Sequence, residues 1–115
     1  MAIEILKTLE IIEAMENFLS RMRPPEHLRP KVDIAYKIEG SNIFIFEIRP
    51  QWNNEHIILE HPIAKATFVK TKNHWKVFWL RADLKWHSYP PKPIVKTVAE
   101  FTKLVEEDKN HCFWG

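Results

Sequence analysis

The residues best equipped for chemistry lie between positions 61 and 96. Eight basic side chains fall there (Lys65, Lys70, Lys72, Lys76, Arg81, Lys85, Lys92 and Lys96) against one acid, Asp83, a net charge of +7. Residues 1–60 carry −3 and residues 97–115 carry −2, so the overall +2 conceals a basic block inside a balanced chain. Three of the five tryptophans, Trp75, Trp79 and Trp86, are interleaved with that block, and Trp52 and Trp114 flank it. Cations hold backbone phosphates and exposed rings stack on bases at ~1–3 kcal/mol each, so this mixture fits a single-strand binding surface. The same residues also fit a lysine-solvated sheet over a core filled with large rings.

Within the block, Arg81, Asp83, Lys85 and His87 alternate with Ala82, Leu84 and Trp86. If the segment is extended, all four polar groups project from one face, with Asp83 between two cations. A metal-dependent nuclease would need converging acids with a lysine nearby, and Asp33, Glu47 and Lys65 are the only candidates. The simpler reading pairs Glu47 with Arg49 or Lys65 at a sheet surface. Six histidines raise the question of a metal, but their spacings form no chelating pair on one element, and there is no Cys-x-x-Cys. Ser20, Ser41 and Ser88 lack a nucleophile-elbow motif, Cys112 lies three residues from the end, and Gly40 and Gly115 are the only glycines. The expectation is therefore no catalytic residue, no metal and no cofactor.

The elements that position these residues can be read from periodicity. Residues 3–22 spread Ile5, Leu9, Ile11, Ile12, Met15, Phe18, Leu19 and Met22 over about half of a helical circumference. So wide a stripe needs a sheet or a second subunit beneath it. Pro24-Pro25 ends the helix. Val32, Ile34, Tyr36 and Ile38 alternate with polar residues as a half-buried strand, and Gly40 marks the turn into residues 43–48, which are apolar on both faces. Residues 51–56 read as a polar loop, 57–62 as a short extended piece and 63–70 as a third strand. Arg81-Ala82-Asp83 reads as a second turn or bulge, so residues 74–89 form one bent strand or two, and the prolines at 90–93 stop the sheet. Thr97-Val98-Ala99-Glu100 has capping-box spacing, which predicts a helix over 98–107. The aromatic end, His111 to Trp114, is expected to dock on the sheet.

The order predicts one α+β domain over residues 1–115: a four- or five-stranded antiparallel sheet, with strands inside 31–89, flanked by an N-terminal and a C-terminal helix. Strands apolar on both faces require both sides to be covered, by a helix each or by one helix layer and a partner. No apolar run approaches the roughly 20 residues of a membrane span, and a lone cysteine and no leader pattern suggest a reducing cytoplasm.

Several segments carry a family likeness: Arg49-Pro50-Gln51-Trp52, residues 64–70, residues 75–89, and the terminal Cys112-Phe113-Trp114-Gly115. Over roughly residues 44–115 the chain resembles the bacterial family catalogued as domain of unknown function 3024. The resemblance implies a small stand-alone cytoplasmic protein and brings no established activity, cofactor or catalytic residue. The leading expectation is thus a non-enzymatic nucleic-acid-binding module. Lys65, Lys70, Lys72, Lys76, Arg81 and Lys85 would contact phosphates, and Trp52, Trp79 or Trp86 would offer a ring. An acidic protein would suit the same surface. The alternative is a protein-interaction or homodimeric adaptor that buries the first helix or the second sheet face.

Overall fold

The structure, a computed structural model, describes residues 5–114, and residues 5 and 6 by their backbone alone. The first helix, α1 (Ile5–Met22), is followed by a 3-10 turn (Glu26–Leu28), then β1 (Asp33–Glu39), β2 (Asn42–Gln51) and β3 (Asn54–Val69). A second 3-10 turn (Lys70–Lys72) leads to β4 (His74–Leu80), β5 (Trp86–Ser88), β6 (Ile94–Val95) and α2 (Val98–Glu107). The predicted first two residues of the N-terminal helix, 3 and 4, lie outside the described residues.

The sheet is antiparallel throughout, with strands β1 to β5 side by side in chain order and the two-residue β6 added on β4. The prolines at 90–93 therefore interrupt the sheet without ending it, and Val95 returns beside Trp75. Gly40 turns β1 into β2 at φ +56, a conformation that costs glycine little.

The region after β2 differs most from expectation. There is no polar loop over 51–56 and no break before residue 63: β3 is one 16-residue strand, joined to β2 through Trp52-Asn53. Ile63 bulges out between Ala64, which faces Ile45, and Pro62, which faces Phe46. Pro62 is tolerated because β4 pairs with β3 only from Ala64 onward, so no ladder bond is lost on that side.

Both helices lie on the same face. The buried set joins Ile11, Met15 and Phe18 of α1 and Phe101 and Val105 of α2 to Ile34, Ile43, Ile45, Ala64, Ala66, Trp75, Val77 and Val95 of the sheet. Arg21 donates two hydrogen bonds to Glu106 Oε1 across the helix pair. The apolar stripe of α1 is narrower than its sequence implies, because Leu9 and Ile12 stay exposed. Thr97 Oγ1 accepts the Glu100 N–H at 3.2 Å, which fixes the start of α2. At its other end Asp108, buried at φ +40, accepts the N–H groups of Phe113 and Trp114 at 3.0 Å each. Phe113 stacks on Tyr89 with centroids 4.7 Å apart, and the Trp114 indole donates to the Val105 carbonyl. The aromatic end docks, against α2 and Tyr89.

Candidate functional site

Side chains alternate along each strand, so the register assigns every residue to a face. The helix-facing set contains Ile43, Ile45, Ala64, Ala66, Trp75, Val77 and Trp79. The opposite set contains Lys37, Phe44, Phe46, Ile48, Lys65, Thr67, Lys76, Phe78, Leu80 and Trp86. No described helix covers that second face.

The uncovered face is built around rings. Phe44 lies between Phe46 and Trp86, with centroids 6.2 and 6.0 Å away and tilts of 35° and 52°. Each ring is half-buried by its neighbours alone. Lys65, on the central strand, places its ammonium 4.6 Å from the Phe78 centroid and 5.1 Å from that of Trp86. Lys37 lies 5.5 Å over Phe46, and Lys76 stands exposed beside Thr67. Ring faces attract cations electrostatically, so the lysines and the aromatics hold one another in place. Partial burial among the rings lowers the Lys65 pKa from its ordinary value. Its cationic form is therefore poised to gain from an approaching anion.

Both layers carry charges of both signs. Glu10, Glu13 and Glu16 project from α1, and Glu100, Glu106 and Glu107 from α2. On the sheet edge, Asp33 is neutralised by Arg23, whose two-pronged hydrogen bond at 2.8 Å holds the carboxyl below its usual pKa. Glu39 lies 3.8 Å from Lys37.

The candidate residues fall into three groups. Lys65, Lys76 and Trp86 share the uncovered face. Lys70 and Lys72 occupy the exposed turn at one end of the sheet, and Arg81 and Lys85 the turn at the other. Trp52 and Trp79 lie elsewhere. Trp52 caps the β2–β3 hairpin at 93% exposure, well away from the ring cluster. Trp79 faces the helix layer, with Arg81 stacked 5.4 Å from its ring and Nε1 buried without a partner.

The condition for a row of Arg81, Asp83, Lys85 and His87, an extended segment, is not met. Residues 81–85 are a turn, with Leu84 at φ +63, so 74–89 is two strands rather than one bent one. Asp83 pairs with neither cation. It contacts His87 Nε2 at 2.8 Å and accepts the Lys85 N–H, and the His87 contact lowers its pKa. The nuclease trio is likewise split: Glu47 points to the face opposite Lys65 and pairs with Arg49, and Asp33 pairs with Arg23. Cys112 is half-buried, and burial raises its pKa, the reverse of an activated thiol. Among the described residues, no three His, Cys, Asp or Glu side chains gather at a metal-binding distance.

Phe44, Phe46, Phe78 and Lys37 belong to the cluster and were not foreseen as site residues. The double-faced apolarity of residues 43–48 was their signal, but it reads equally as burial on both sides.

These features define a two-layer α+β domain with one helix-covered and one open sheet face. The chain belongs to the family described as Domain of unknown function (DUF3024), whose model matches residues 4–115. The match takes in the first helix and hairpin as well as the more distinctive later segments. No curated protein and no solved structure matches the chain. No helix among the described residues is long and apolar enough to cross a membrane.

Proposed function

We propose that the protein is a non-enzymatic module that binds single-stranded nucleic acid on its open sheet face, in a reducing cytoplasm. One observation carries the reading: Lys65 sits inside a cluster of four half-buried rings, on a face no described helix covers. Phe44, Phe46, Phe78 and Trp86 supply surfaces for bases, and Lys37, Lys65 and Lys76 supply cations for the backbone. Lys70, Lys72, Arg81 and Lys85 extend the positive field to both ends of the sheet. A flat face favours bases that are already unstacked, so single strands are preferred over duplex.

The test is tryptophan fluorescence during titration with mixed-sequence single- and double-stranded oligonucleotides at low and moderate salt. Quenching by single strands, weakened steeply by salt and abolished by replacing Lys65 and Lys76 together, is the expected result. No response at low salt, or a response indifferent to both lysines, overturns the reading.

A further inference from the structure

We infer that the protein forms a two-fold dimer by pairing the free edge of β3 with the same edge of a second copy. Past Ile48, β1 no longer flanks β2, and before Ala64, β4 does not yet flank β3. The two strands run on alone as a two-stranded arm, and the molecule measures 46 × 29 × 25 Å. Among the described residues, nothing pairs with the outer edge of β3 from Asn54 to Ile63. Only the His56 N–H is held locally, by Asn54 Oδ1. Unguarded edges of this length template further strand pairing.

The residues on that edge are self-complementary. Glu55-His56-Ile57-Ile58-Leu59-Glu60-His61, set antiparallel to a second copy with Ile58 on the two-fold axis, places His56 opposite the partner's Glu60. Glu55 then faces the partner's His61, and Ile57 faces the partner's Leu59. Every polar pair joins an acid to a histidine and every apolar pair joins like to like. Neighbouring two-fold registers lose this: with Ile57 on the axis His56 faces the partner's Ile58, and with Leu59 on the axis Ile58 faces the partner's Glu60. Ile57 and Ile58 are 44% and 58% exposed. One arrangement therefore sets the exposed Ile57 and Ile58 of the arm against apolar side chains of the second copy. Edge pairing leaves both ring-bearing faces open, so it is independent of oligonucleotide binding.

Sedimentation equilibrium of the full chain tests this, with circular dichroism to confirm folding. The wild type is expected to dimerise and Ile58→Lys to be monomeric while still binding oligonucleotide. His56→Glu alone sets carboxylates opposite one another and weakens the dimer by at least about tenfold. The swap His56→Glu with Glu60→His restores it. In a Cys112→Ser background, Ile58→Cys is expected to cross-link copies under mild oxidation. A wild type that stays monomeric at its highest soluble concentration overturns the inference. So does a dimer that survives Ile58→Lys, or one the charge swap fails to restore. Loss of oligonucleotide binding in an otherwise intact dimer speaks only against the proposed function.

Discussion

Lys65 is the side chain on which the proposed site turns. A lysine wedged between Phe78 and Trp86 has shed part of its water already, so less is lost when a phosphate replaces the remainder. Lys65→Ala is expected to weaken single-strand binding several-fold and to reduce the slope of log K against log salt by about 0.7, one counterion fewer. Trp86→Ala should cost ~1–3 kcal/mol of affinity through a lost stacking surface, whereas Trp52→Ala leaves oligonucleotide affinity unchanged. Parallel titrations by anisotropy separate the two. The Arg23–Asp33 pair makes a separate, pH-dependent claim. Asp33 binds its proton less tightly in the folded state than in the unfolded chain. Its contribution to stability is therefore complete above the unfolded pKa near 4 and disappears as pH falls through the lowered folded value. Asp33→Asn should destabilise the protein at neutral pH and flatten the acid limb of its urea midpoint against pH.

At the level of elements, the link between α2 and the aromatic end is the most exacting local structure. Asp108 must hold a left-handed backbone and satisfy two N–H groups with one carboxylate. Asp108→Ala should cost about 1–3 kcal/mol by leaving those donors buried and unpaired, with Asp108→Asn milder, as read from denaturant midpoints. Thr97→Ala at the other end should cost ~1 kcal/mol. These ends also show which elements announce themselves in sequence. Thr97 and Glu100 declare a helix start through local chemistry, as Gly40 declares a hairpin, so α2 and the β1–β2 turn were legible without tertiary information. The turn at 81–85 was legible only in part, as a turn or bulge over 81–83. It depends on Leu84 at positive φ, a conformation leucine rarely adopts and no sequence cue reveals. The sequence left open which tryptophans face out; the register puts Trp79 on the helix-facing side and Trp86 on the open one. The length of β3 was hidden for a different reason: Ile57-Ile58-Leu59 is an unbroken apolar run, and the alternation that marks a half-buried strand is absent.

For the whole molecule, the concentration of basic residues in the turns at the ends of the sheet is the governing feature. If the open face binds nucleic acid, the cations at its centre and in the turns at its two ends supply the attraction for the polyanion. On the proposed function, the seven cations on and around the sheet, Lys37, Lys65, Lys70, Lys72, Lys76, Arg81 and Lys85, are expected to make association faster at low ionic strength. Stopped-flow fluorescence should show the on-rate falling with salt more steeply than the off-rate rises.

The chain-order sheet has a consequence for how the molecule assembles. Each of the first five strands pairs with its sequence neighbour, so the hairpins close short loops and can zip one after another with little entropic delay. Docking of the end residues Phe113 and Trp114 joins only already-formed pieces, and belongs late on the folding path. Removing residues 112–115 is therefore expected to accelerate unfolding while leaving the refolding rate nearly unchanged. Both limbs of a urea chevron report that asymmetry directly.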